Sequence, residues 1–234
     1  MEMLPNPKWE IEKEKFLERL GISEREFRKK LCIPDLKRVE TIVPLRYMRQ
    51  IDAISPLSFE MLKCLLSRMK TLGGVPAFEN ADFQLCKIDP QHLKIGQRFV
   101  YRENYQNLLE SLPALLGKFV LSSGIGDLGS YFIFGEDMRG IQALACYMPP
   151  IIEQHGSDFV VMDGIHRNYI AKQLGKTLSS IVVANPSVPF PCSPKSWSEI
   201  KVISLSEKPK SVSERYFDLT KELFRDLKYL GIDG

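Results

Sequence analysis

Phe159-Val160-Val161-Met162-Asp163-Gly164-Ile165-His166-Arg167, continuing through Asn168-Tyr169-Ile170-Ala171-Lys172-Gln173-Leu174-Gly175, is the stretch that decides how this chain is read. Four apolar residues in a row predict a buried strand. Asp163 and Gly164 break the run, and Ile165 to Leu174 has helical character, with Ile170, Ala171 and Leu174 on one side. Gly175 is a natural stop, because helices often end on a residue with positive φ. The unit is strand, tight turn, short helix, with Asp163, His166 and Arg167 gathered at the turn.

Such a turn has a chemical use. The first N–H groups of a helix lack internal partners, and the helix dipole attracts anions to that end. Gly164 would let a ligand approach the main chain, where the amides of Ile165 to Asn168 begin the helix. Arg167 offers a planar two-pronged phosphate donor, and His166 a hydrogen bond or a proton. Asp163 is a candidate to cap the helix, orient His166, or hold a cation bridging phosphates. The expected site is a phosphate or nucleotide cradle. The plainer alternative is a capped helix with His166 and Arg167 solvated at its rim.

A strand ending in Asp-Gly-x-His-Arg, followed by a short helix ending Leu-Gly, resembles the ParB/sulfiredoxin-like superfamily. It is most similar to the branch with free serine kinases and ParB-like nuclease domains. Asp163, Gly164, His166, Arg167, Leu174 and Gly175 carry the resemblance, with Ile181-Val182-Val183 and Pro149-Pro150-Ile151-Ile152-Glu153 in the family order. It covers roughly residues 83 to 190. It implies ATP or another nucleotide and Mg²⁺ as cofactors, a small-molecule substrate, and phosphoryl transfer or phosphate-ester hydrolysis. Asp163 would be the metal ligand and, with His166, a catalytic residue.

The kinase branch places a general-base glutamate in the loop before its first helix. The matching position here falls near Gln97, in Gly96-Gln97-Arg98, and a neutral amide cannot take a hydroxyl proton. Glu103, further along, is the candidate substitute, while Gln97 and Arg98 remain candidate cofactor contacts. Sulfiredoxin chemistry is set aside, because Ile165 stands where its catalytic cysteine precedes the motif histidine.

At 234 residues and 44% hydrophobic composition the chain can bury a normal core. A net charge of +3 does not indicate a globally basic nucleic-acid binder. The first 75 residues nevertheless carry 15 Lys/Arg against 11 Asp/Glu. Cys32, Cys64, Cys86, Cys146 and Cys192 are widely spaced, with no Cys-x-x-Cys and no zinc-ligand spacing. Reduced thiols in a cytoplasmic protein are expected. No charged-then-apolar leader and no apolar run near eighteen residues occurs, so no membrane partner is expected.

Residues 8–31 predict two helices around Gly21, with Ser23-x-x-Glu26 as a capping box for the second. That helix turns Phe27 and Leu31 inward and carries Arg25, Arg28 and Lys29, so a helix-turn-helix contact with DNA is one reading and a packing role another. After a break at Ile33-Pro34-Asp35, a helix runs from about Leu57 to Met69, and Gly73-Gly74-Val75-Pro76 marks a boundary near residue 75.

Beyond it, a strand at Phe83 to Ile88, a loop or short strand from Lys94 to Val100 and a helix from Glu103 to Leu116 are expected. Then come a strand at Phe119 to Leu121, a glycine-rich loop at Ser122 to Ser130, and a strand at Tyr131 to Phe134 turning at Gly135-Glu136-Asp137. The loop is a hairpin connection or a ligand loop. A proline-rich wall spans Asn185 to Pro194, and an edge strand Glu199 to Leu205. A last helix from the Ser211-x-x-Glu214 cap to Leu230 would close the core or serve a homodimer interface.

The expected fold is α+β: a small mixed sheet with flanking helices over residues 76–234, plus a helical N-terminal extension over 1–75. A ParB-like DNA-binding protein or nuclease with a nucleotide switch is the alternative to the enzyme, and a degenerate fold member used only for interaction is a third reading.

Overall fold

Strands and helices mix through the residues that the computed structural model describes, 10–30, 38–106, 129–230 and 232. The class is α+β. In order, the first strands are β1 (Ile11–Glu12), β2 (Thr41–Ile42), β3 (Met48–Pro56), β4 (Asp82–Ile88), β5 (Lys94–Ile95) and β6 (Phe99–Tyr101). They continue as β7 (Tyr131–Asp137), β8 (Gln142–Tyr147), β9 (Ile151–His155), β10 (Asp158–Asp163), β11 (Leu178–Ala184) and β12 (Lys201–Ile203). The helices are α1 (Lys13–Leu20), α2 (Glu24–Lys30), α3 (Phe59–Ser67) and α4 (Ile165–Gln173), and residues 102–106 form a further helical turn. Among the described residues, no helix is long and apolar enough to cross a membrane.

Two compact units form, and their boundary corrects the expected one. The first takes Met1–Met69, then Gly129–Met148, then Leu227–Gly234. The expected helical extension is instead a five-stranded sheet, ordered β1-β2-β8-β7-β3, with helices. Strand pairing is the physical reason: β2 lies parallel to β8 with Thr41 beside Ala143, and β3 lies antiparallel to β7 along nearly its whole length.

Phe16 of α1, Phe27 of α2 and Phe132 of β7 meet edge to face, with centroids 5.3 to 6.5 Å apart. The expected capping box forms at α2, since Ser23 N–H donates to the Glu26 carboxylate at 2.9 Å and Glu26 N–H to Ser23 Oγ at 3.2 Å. Ser58 Oγ likewise accepts from Met61 N–H at the start of α3.

The turn expected at Gly135 lies later. Gly135 sits inside β7 where β3 bulges, and a Cβ there would stand 2.0 Å from the Gln50 carbonyl oxygen. The chain reverses instead after Asp137, whose carboxylate accepts from the N–H groups of Arg139 and Ile141.

The second unit, Lys70–Leu128 and Pro149–Asp226, holds the motif. Its sheet runs β4-β11-β9-β10-β5, with β11 parallel to β9 and antiparallel to β4, and β10 antiparallel to β9 and parallel to β5. A second, two-stranded sheet pairs β12 with β6, matching the expected edge strand. Leu93, Ile95, Val100, Ile152, Val161, Ile165, Trp197 and Phe217 make one core cluster.

The expected helix over 211–230 does not form. The backbone there is committed to other segments: Arg98 N–H donates to the Arg215 carbonyl, Phe217 N–H to Gly96, and Thr220 N–H to Pro191. Asp218 takes φ of 49°, and only short 3₁₀ turns remain. The leucine periodicity is divided as well, because Leu227 and Leu230 belong to the first unit. The inward position of Leu31, the break at Ile33-Pro34-Asp35, most of the Glu103–Leu116 helix, the Phe119–Leu121 strand and the loop through residue 128 fall outside the described residues.

Candidate functional site

The strand–turn–helix forms as its sequence dictates. Val160 and Val161 are buried, and β10 gains an extra residue against β9 between Val161 and Asp163. Such a bulge re-aims the side chain that follows it. Gly164 takes φ of 81° and ψ of 30°, a left-handed conformation open to glycine. Asn168 N–H then donates to the Gly164 carbonyl at 3.0 Å and begins α4.

The space beside Gly164 belongs to the protein. A Cβ there would come within 2.8 Å of Pro150 Cβ and 3.0 Å of Arg167 Nη2. The glycine therefore admits Pro150 and a guanidinium, which corrects the expectation that it leaves room for a ligand. Arg167 is 2% exposed and its Nη2 stands 3.3 Å from Asp163 Oδ2. Each charge partly neutralises the other, so Arg167 anchors the turn from within. Asp163 is engaged as its counter-ion, an arrangement that suits orientation rather than metal binding. Among the described residues no group of three or more His, Cys, Asp or Glu side chains is placed to hold a metal ion.

His166 carries the most informative geometry. Its Nε2 accepts from the main-chain N–H of Tyr101 at 3.0 Å, and the two rings lie 5.8 Å apart. An imidazole nitrogen that accepts holds no proton, so the ring proton is on Nδ1. Burial, then the Lys208 and Arg167 charges, lower its pKa to about 4. At neutral pH the ring is uncharged. It offers a hydrogen bond through Nδ1–H and has no proton to give as an acid.

Ile165 is 3% exposed and packs into the core cluster, so any contact from it to a ligand is through the backbone. Asn168 is fully buried. Its Nδ2 donates to the Gly164 carbonyl at 3.0 Å, whereas Oδ1 is the one buried side-chain polar atom without a hydrogen-bond partner among the described residues. Leaving a buried acceptor unmet costs about 1–3 kcal/mol.

The remaining expected residues serve the scaffold. Glu103 accepts from Ser204 Oγ at 2.6 Å and from Leu205 N–H at 2.7 Å. These bonds hold its pKa below the ordinary value, the wrong direction for a base working near neutrality. Gln97 forms a backbone bridge with Tyr216. Arg98 Nε donates to the Tyr216 carbonyl at 2.8 Å, and its guanidinium lies 4.7 Å from the Phe217 ring centre. Gln97 and Arg98 thus dock the segment after Val212.

Sequence reasoning missed Tyr101, Lys208 and Tyr216. Lys208 Nζ stands 5.0 Å from the Tyr101 ring centre. The Tyr216 phenol is pushed well above its ordinary range, first by burial and then by charges that include Asp226 and Asp163. None of the three lies near the motif in sequence, so local pattern carried no signal for them. No protein-family model, no curated protein and no solved structure matches this chain.

Proposed function

We propose that the second unit is a ParB/sulfiredoxin-like domain that binds a small phosphate-bearing ligand, of the nucleotide class, at the start of α4. One observation carries this reading: His166 is neutral, protonated on Nδ1, and set in the first turn of a helix beside two cations. A neutral donor there is suited to an anion. The unpaired amides of a helix start add to the same attraction.

Binding is better supported than turnover. Glu103 is held by two hydrogen bonds, and Gln97 is neutral, so neither supplies a base. If the domain transfers or hydrolyses phosphate, the rate would come from positioning and from neutralising charge on the phosphoryl oxygens. Any Mg²⁺ would have to arrive with the ligand, because Asp163 already serves Arg167.

Calorimetry of the full chain against ATP, ADP, GTP and inorganic phosphate, each with and without Mg²⁺, tests the reading. Binding by at least one nucleotide, lost in His166→Ala, is expected. Absence of binding by all of them at millimolar concentration refutes it.

A DNA contact through the first unit is the second reading. Arg25, Arg28 and Lys29 are all exposed on α2 while Phe27 is buried. Retention on DNA should then fall steeply with salt and require all three cations. Indifference to their joint replacement removes it.

A further inference from the structure

We infer that two copies of this chain pair through β4, antiparallel about Leu85, so that the sheet of one continues into the sheet of the other. The inference goes beyond the phosphate reading and does not depend on it. It also moves the homodimer contact away from the helix expected over 211–230, which does not form.

An outer strand carries a row of N–H and C=O groups without partners in its sheet, and folded proteins usually blunt such edges. Of the four strands that end the two five-stranded sheets, three follow that rule. β1 and β5 are two residues long, and β3 is bulged twice and ends on Pro56. β4 differs. All seven of its residues pair with β11 in unbroken register, it contains no proline, and among the described residues no strand covers its other side. Asp82, Gln84, Leu85 and Lys87 are exposed.

The side chains say what fits there. Residues paired across neighbouring strands share a face, and Ile151 of β9, Ile181 of β11 and Leu85 of β4 lie in one such row. Ile151 and Ile181 are fully buried, whereas Leu85, at the open end, is 57% exposed. A second β4 with its leucine opposite Leu85 continues the row with the same three residues in reverse order.

That register also separates like charges. Phe83 faces the partner's Lys87, and Asp82 faces the partner's Ile88. Asp82 is already engaged within its own chain, where Asn185 Nδ2 donates to its carboxylate at 2.9 Å. Sliding the strands until Lys87 meets its own copy sets like charges together, and a slip of one residue turns the leucine row to the opposite face. Two seven-residue strands make a small contact beside a standard interface of about 1,200–2,000 Å², so the dimer should be concentration-dependent and not permanent.

Sedimentation velocity of the full chain from about 10 to 500 µM tests the pairing, with hydrogen exchange read at β4. The wild type should pass from one-chain to two-chain mass across that range, and β4 amides should exchange more slowly at the upper end. Leu85→Lys sets two ammonium groups opposite each other and should raise the midpoint concentration roughly tenfold. Its melting temperature should match the wild type at low concentration, because Leu85 stands in solvent there. Leu72→Lys, at a leucine 72% exposed outside β4, should dimerise as the wild type does.

One-chain mass at every concentration overturns the inference and leaves the β4 edge to a strand of another protein. A dimer indifferent to Leu85→Lys, or one that leaves β4 exchange unaltered, lies elsewhere and overturns it equally. The phosphate reading stands or falls separately, by calorimetry.

Discussion

Tyr101 holds His166 through its main chain: the amide N–H donates to Nε2 across 3.0 Å while the two rings lie tilted against each other. That single bond fixes the tautomer, and burial beside two cations fixes the charge state. The strand β6 therefore sets the chemistry of a residue that belongs to α4.

Stability should consequently depend on pH through His166. Its folded pKa of about 4 lies below the unfolded value near 6.5, so the unfolded chain takes up the proton first. The contribution is complete above about pH 6.5 and is lost as pH falls towards 4, by about 3 kcal/mol in all. His166→Gln keeps an acceptor for Tyr101 N–H and cannot titrate. Denaturant midpoints from pH 7 to 4 should flatten in this variant, and an unchanged slope would assign the titration to another group.

Gly164→Ala should destabilise the second unit by about 2 kcal/mol or more, since it combines a positive φ with a clash. The clash is with Pro150 and Arg167, so the loss should appear in thermal melting without any ligand. An unaltered melting temperature would mean that the turn relaxes freely.

Arg167→Ala should cost roughly 1–3 kcal/mol, because it strips a buried guanidinium from its carboxylate. Asp163→Asn should lose part of the same energy, and the double variant less than the sum of the two. Strict additivity in chemical denaturation would show that the pair does not interact.

Glu153 and Arg225 form a fully buried pair, with Arg225 Nε donating to Glu153 Oε1 at 2.8 Å and Nη2 to Oε2. Arg225 also donates to the carbonyls of Pro189 and Leu223, and its guanidinium lies over the rings of Phe78 and Phe190. Removing one partner strands the other charge, so Glu153→Ala or Arg225→Ala should each cost about 3–5 kcal/mol. Glu153→Met with Arg225→Leu should recover much of that loss. If the single variants melt like the wild type, this pair does not anchor the C-terminal segment.

What the sequence made legible was local. The Ser23–Glu26 box, the Gly164 turn and α4 each depend on residues within one or two helical turns, and each formed where expected. The misses share a nonlocal cause. Gly135 reads as a turn residue, yet it is the approach of the Gln50 carbonyl across the sheet that requires it. The leucine stripe after Ser211 reads as a helix, but the carbonyls and amides of Gly96, Arg98 and Pro191 claim that backbone first. At the site, Arg167 looked like the phosphate ligand because it stands in the motif. It is instead buried, with its guanidinium against Asp163.

The pairing of Thr41 with Ala143, and of Met48 with Asp137, has a consequence for how the polypeptide comes into being. A nascent chain that has emerged only as far as Gly73 and Gly74 holds the β1–β2 pair and β3 without the hairpin that joins β2 to β3. Those strands must wait, their edges unzipped, until residues 129–148 are synthesised. Such delayed closure slows folding and invites aggregation. A truncated product ending at the glycine pair should accordingly be recovered in inclusion bodies, and supplying the hairpin in trans should help to dissolve it.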